Sequence, residues 1–184
     1  MIKRGFDVLL ALGLMPIAIV ICLPMALAIR LESPGNPFFL QKRVGRDKEI
    51  FTLWKLRSMK RGVANVGSHE ISAAQITRVG HFIRRTKIDE LPQVVNVLVG
   101  QLSFVGPRPC LSMQLELIEE RDVHGVFDIR PGITGPAQLM GIDMSTPQLL
   151  AEVDAQYALE QTFWGDLKLV LRTALGGGSG DAVK

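Results

Sequence analysis

Between Val8 and Ile29 the chain carries no charged residue. Wound as a helix, a run of this length covers the roughly 30 Å hydrocarbon core of a bilayer, which makes a membrane helix the first expectation. A single span is the simplest form. Pro16 and Pro24 oppose it, because each removes a backbone donor and clashes with the preceding turn, freeing the carbonyls of Leu12 and Val20. The flanking cations oppose it too: Lys3 and Arg4 before the run and Arg30, Lys42 and Arg43 after it give a single span no clear orientation. They give a consistent one if both ends stay on the cytoplasmic face and a proline-broken helix dips in and returns. The residues favour this re-entrant helix-break-helix and leave a kinked span open. A cleaved signal sequence fits less well. Ala26-Leu27-Ala28 resembles a cleavage site, but the apolar stretch is too long for a signal core and the cations behind it resist export.

The 184 residues suffice for one core of ordinary size with a membrane attachment. Net charge is only +3, but nine Lys or Arg stand against three Asp or Glu from Arg30 to Arg61, and eleven acids against five bases after Cys110. Basic residues directly behind an apolar run point to an anionic membrane surface or a phosphate-rich ligand. Nucleic acid is not expected as a partner: there is one Tyr, and only Phe38, Phe39, Phe51 and Trp54 interrupt the basic segment. Cys22 and Cys110 are too few and too far apart for a disulfide framework or a zinc site, and they fit a reducing compartment.

Three regions follow: 1–30 as the membrane segment, 31–175 as a cytoplasmic domain and 176–184 as a flexible tail of linker composition. The expected fold is α+β and mainly helical. Pro37–Gln41 and Ile50–Leu56 read as a short β-hairpin around the polar turn Gly45–Lys48, and Lys60–Gln75 as a mobile loop. Helices are expected over Arg78–Thr86, over the segment with Leu91, Val94, Val95 and Leu98 at helical spacing, and over Glu116–Val123, Pro147–Gln161 and Phe163–Leu175. The last carries Phe163, Trp164, Leu167, Val170 and Leu171 near one face, the pattern of an amphipathic helix at a membrane interface or of one packed on the core.

Asp89 and Glu90 follow the cations Arg84, Arg85 and Lys87 and precede a run without charge up to Arg108. Asp89 stands where a helix would begin, so it can be an N-cap with Glu90 a first-turn acid. The same position attracts phosphate, and adjacent carboxylates suit Mg²⁺, a hard cation that binds through one or two carboxylates plus substrate phosphate. Gly106-Pro107-Arg108-Pro109 and Arg130-Pro131-Gly132-Ile133-Thr134-Gly135 each set an arginine beside residues that fix the backbone, a way of holding a guanidinium for phosphate.

Five separated segments, in order behind the apolar run, carry a resemblance: Lys42-Arg43-Val44-Gly45, Trp54-Lys55-Leu56-Arg57-Ser58-Met59, Ile88-Asp89-Glu90-Leu91-Pro92-Gln93, Ser103 to Pro109, and Arg130 to Gly135. Over roughly residues 3 to 175 the chain resembles the bacterial sugar transferases called monotopic phosphoglycosyl transferases. That resemblance implies transfer of a phosphosugar from a UDP-sugar to undecaprenyl phosphate. UMP and a lipid-linked diphosphosugar are formed, the first membrane step of O-antigen, capsule, exopolysaccharide or glycoprotein assembly. It implies a covalent phosphosugar intermediate on Asp89, with Glu90 its partner and Mg²⁺ held by both. Lys55, Arg84, Arg108, Pro109 and Arg130 would bind substrate, with Asp166 a further candidate near phosphate or metal. It also implies a monotopic protein on the cytoplasmic face of the bacterial inner membrane, touching membrane lipid, and leaves a homodimer open. The chain departs from the family at two places. The usual Ser-Pro break would fall near Ile19 and Val20, where there is no proline, and Gly141-Ile142-Asp143 stands where many members have Gly-Arg-Asn. Two rival readings are a non-catalytic scaffold bound to anionic lipid and a Mg²⁺-dependent phosphohydrolase using the same dyad.

Overall fold

The computed structural model describes residues 2–60, 62 and 75–177. Nearly all of the loop expected over Lys60–Gln75, and the tail beyond Gly177, lie outside the described residues.

Helix α1 spans Ile2–Glu32 and contains both Pro16 and Pro24. The helix continues through both prolines without an interruption at either. The reason lies in packing. Asp7, Ala11, Ala18, Cys22 and Ile29 are buried at intervals of four and seven residues, one stripe that docks along the whole helix. The opposite side is exposed and apolar, with Leu9, Leu12, Val20, Leu23, Leu27 and Leu31.

Both ends of α1 are tied to the same body. Near the start, Arg4 donates to the carbonyls of Val97 (2.6 Å) and Leu98 (2.9 Å), and Asp7 accepts from the Ser103 hydroxyl and the Phe104 amide, each at 3.1 Å. At the far end, the Glu32 carboxylate accepts from the amides of Arg78 (2.7 Å) and Val79 (2.9 Å), closing the first turn of the next helix.

The expected hairpin is present. Strand β1 (Phe38–Val44) pairs antiparallel with β2 (Ile50–Leu56) around a turn in which Asp47 and Lys48 have positive φ. Helix α2 (Arg78–Arg85) follows, capped by the Thr77 hydroxyl. A 3₁₀ turn over Ile88–Gln93 runs into α3 (Val94–Leu98). Strands β3 (Ser103–Val105) and β4 (Gly132–Thr134) form a parallel pair the sequence did not suggest, because three-residue strands carry no readable period. Around them lie α4 (Leu115–Val123), α5 (Pro136–Met140), α6 (Pro147–Glu160) and α7 (Phe163–Ala174). Just past β3 the chain crosses β4 so closely that a Cβ on Gly132 would sit 2.1 Å from the Gly106 nitrogen. Glycine is needed at that crossing for space rather than for its φ.

On α7 the buried side chain is Asp166, while Trp164 and Leu171 are exposed. Phe163 meets Phe6 of α1 and Trp164 edge-on, both at 5.3 Å between centroids. The aromatic-led face therefore points outward beside the start of α1.

Candidate active site

The dyad lies inside the 3₁₀ turn, not at its cap. The capping position belongs to Lys87, whose left-handed backbone (φ 57°) reverses the chain as it leaves α2. That reversal turns Asp89 and Glu90 inward, and both are buried, at 5% and 9% exposure. Asp89 is therefore a buried first-turn acid and not the N-cap that its position in the sequence suggested.

Glu90 is held between two cations. Its Oε1 accepts from the Lys55 ammonium at 3.1 Å and from the Arg108 guanidinium at 2.8 Å. Burying a carboxylate costs several kcal/mol unless it is paired and hydrogen-bonded, and this arrangement meets the condition. Lys55 comes from β2, 35 positions away from Glu90, and Arg108 from the segment after β3. Asn96 locks β2 in place: its Oδ1 accepts from the Trp54 amide (3.1 Å) and its Nδ2 donates to the Thr52 carbonyl (2.7 Å).

The backbone of Arg108 is fixed more firmly still. Four successive carbonyls are each taken by a different donor. The Gly132 amide takes Pro107 (2.8 Å), Arg121 takes Arg108 (2.9 Å), Arg43 takes Pro109 (2.9 Å) and the Val44 amide takes Cys110 (2.9 Å). Arg121 is itself anchored on Asp154 Oδ2 through Nε (3.0 Å) and Nη2 (2.6 Å), and Arg43 on Gln41. Arg121 and Asp154 escaped the sequence reading because charges on two helical segments look like solvated faces. No local signal marks them as buried at 2% and 1% exposure.

The remaining sequence candidates divide. Arg84 Nη1 lies 3.5 Å from the Ser58 hydroxyl, on the side of β2 that carries the Trp54-to-Met59 motif. Pro109 contributes its carbonyl to Arg43 and its ring to the fixed segment. Arg130 donates through Nε to the Gly100 carbonyl (2.9 Å) and lines a cavity of about 270 Å³ with Lys3, Arg4 and Arg46. That cavity shares no lining residue with the one at Glu90. Buried Asp166 forms a triad with the half-buried Lys3 ammonium and the Tyr157 hydroxyl, which donates to it at 2.7 Å. Burial, then the Asp166 carboxylate, pushes the Tyr157 phenol far above its ordinary value and keeps it a donor. The triad ties the start of α1 to α6 and α7.

Beside Glu90 opens a cavity of about 140 Å³ whose walls include Leu14 of α1, Lys87, Leu91, Val94, Phe104 and Ile133. It brings the dyad's second acid, a cation and the apolar helix α1 to one place. For Mg²⁺ the dyad offers two hard carboxylates at adjacent positions. No cluster of three or more ligating side chains occurs among the described residues.

A buried carboxylate clamped by two cations thus stands beside a small cavity that the long apolar helix helps to wall. The family profile described as bacterial sugar transferase matches residues 1–177, and the chain belongs to that family. It is 40% identical over 190 residues to a UDP-glucose:undecaprenyl-phosphate glucose-1-phosphate transferase of Escherichia coli strain K12, covering 96% of this chain and 40% of that protein. It is 38% identical to a UDP-N-acetylgalactosamine-undecaprenyl-phosphate N-acetylgalactosaminephosphotransferase of Aeromonas hydrophila, covering 94% of this chain and 42% of the relative. An uncharacterized sugar transferase of Bacillus subtilis is 37% identical, with 94% and 85% covered. The chain thus spans about two fifths of the length of the first two relatives. Those two handle different sugars at nearly equal identity, so identity does not name the sugar here.

Proposed function

We propose that this chain transfers a sugar phosphate from a UDP-sugar to undecaprenyl phosphate, with Asp89 as nucleophile. The observation that carries the reading is Glu90 clamped by Lys55 and Arg108 next to buried Asp89, in a chain of the sugar transferase family. The Asp89 carboxylate attacks the phosphorus that bears the sugar, the bond to the bridging oxygen breaks, and UMP leaves with that oxygen. A phosphate oxygen of the lipid then attacks the same phosphorus and the carboxylate departs. Two steps spare the enzyme from holding a soluble donor and a lipid acceptor together.

A carboxylate approaches phosphate only where charge is compensated, and Lys55 and Arg108 supply that on a backbone that cannot shift. Asp89 and Glu90 would hold Mg²⁺, which when bound neutralises further phosphate charge. Glu90→Gln is expected to lower UMP release at least tenfold and move the Mg²⁺ titration to higher concentration, since an amide is the poorer ligand for a hard dication. An unmoved titration would leave Glu90 as anchor of Lys55 and Arg108 only.

We further infer a monotopic protein on the cytoplasmic face. A helix bonded at both ends to one polar domain cannot set those ends on opposite sides of a bilayer, and the exposed apolar side of α1 is then the lipid-facing one. The outward face of α7, with Trp164, extends it. Cysteines placed at Ile2 and Ser33, in a background lacking Cys22 and Cys110, should label from the same side of inner-membrane vesicles. Labelling from opposite sides would establish a span.

A further inference from the structure

The cavity beside Glu90 has a hydrogen-bond polarity of its own. Gln138 of α5 lies in its wall, and its Nε2 donates to the Ile133 carbonyl at 3.1 Å, which fixes the orientation of the amide. The other end of that amide, Oε1, is buried and has no hydrogen-bond partner among the described residues. Thr134 lines the same cavity, 2.7 Å from the Thr173 hydroxyl. Thr173 gives its one proton to the Leu169 carbonyl at 2.9 Å, so the proton between the two threonines comes from Thr134. What Thr134 still offers is an acceptor. With the Glu90 carboxylate, the remaining polar capacity among the lining residues is that of acceptors, and Lys87, which spends one proton on the Gly177 carbonyl at 2.6 Å, is the donor among them.

A buried acceptor without a donor is costly, and native structures keep one where a water, an ion or a ligand completes it. Resting on the function proposed above, two ligands reach this site. The isoprenoid chain of the acceptor lipid has no donor. The nucleotide sugar has several, on the hexose, at the ribose 2′- and 3′-hydroxyls and at the uracil N3. The walls, Leu91, Val94, Phe104 and Ile133, suit the C–H face of a ring. The sugar is also the part attached to the phosphorus that Asp89 attacks, next to Glu90. We propose that this cavity receives the hexose ring of the donor and that Gln138 Oε1 and Thr134 Oγ1 accept hydrogen bonds from its hydroxyl or amide groups, which makes them the residues that select the sugar.

The test pairs a change in the ligand with a change in the protein. Using the full chain in detergent with undecaprenyl phosphate, KM and kcat for UMP release are measured for the preferred UDP-hexose, for its 2-, 3-, 4- and 6-deoxy analogues, and for the same UDP-hexose methylated at uracil N3. With wild type, at least one deoxy analogue should raise KM about tenfold, the loss of one buried hydrogen bond, while N3-methylation changes little. Gln138→Met should raise KM for the parent sugar by a similar factor, leave KM for undecaprenyl phosphate unmoved, and abolish the discrimination against that one analogue. Thr134→Val should do the same for a different hydroxyl. The wild-type comparison stands even where a variant fails to fold. Equal KM for all deoxy analogues, or a tenfold penalty on N3-methylation alone, overturns the placement of the sugar while leaving the transfer reaction intact. Wild type that releases no UMP from any UDP-sugar overturns the reaction itself.

Discussion

Asp89→Asn is expected to reduce UMP release by at least about a thousandfold while the protein still folds. The amide has the shape of the carboxylate, so the 3₁₀ turn and the clamp on Glu90 have no reason to open. What it lacks is the charge and lone-pair reactivity needed to attack phosphorus. Thermal melting in detergent should match wild type, and intact mass should exclude deamidation back to Asp. Near wild-type release from verified Asp89→Asn would move the nucleophile elsewhere and reduce Asp89 to a structural acid.

The largest loss of stability is expected at Arg121→Met. Removing the guanidinium leaves Asp154 buried at 1% exposure without its partner, and burial already pushes that carboxyl above its ordinary value. Breaking a buried pair from one side costs about 3–5 kcal/mol, whereas replacing both members with apolar groups can be nearly neutral. Arg121→Met should therefore lower the melting midpoint strongly, and adding Asp154→Leu should recover most of it. Activity should not recover with it. The Arg108 carbonyl, which Arg121 holds at 2.9 Å, loses its donor in both variants, and the guanidinium on Glu90 then rides on a loosened backbone. Recovery of turnover along with stability in the double variant would show that Arg121 supports the fold alone.

How far the chain could be read without its structure depended on whether the deciding interactions were local. The hairpin was legible because Gly45 to Lys48 is a polar turn between two apolar runs, and α6 and α7 were legible from periodicity. Helix α1 was legible as apolar but its course was not. Proline rules describe one turn, whereas the stripe from Asp7 to Ile29 acts over the full length and needs a partner surface the sequence does not display. Arg108 and Arg130 looked equivalent, each beside proline and glycine, yet the structure sends one to Glu90 and the other to Gly100 and a separate cavity. Lys87 gave no sign of a left-handed backbone, since φ of 57° is uncommon for lysine, and that one residue turns the dyad inward. Gln138 and Thr134 were passed over because their significance lies in which hydrogen bonds are left unmade.

UMP release from a panel of UDP-sugars, measured with and without undecaprenyl phosphate, decides whether this protein is a transferase to lipid. With the lipid, at least one UDP-sugar should give UMP in step with a lipid-linked diphosphosugar. Without it, release should stop near one equivalent of enzyme, with the sugar phosphate retained on the protein. Continuous release without lipid would mean that water is the acceptor and the protein a hydrolase. The absence of UMP from every UDP-sugar with lipid present would contradict the account outright.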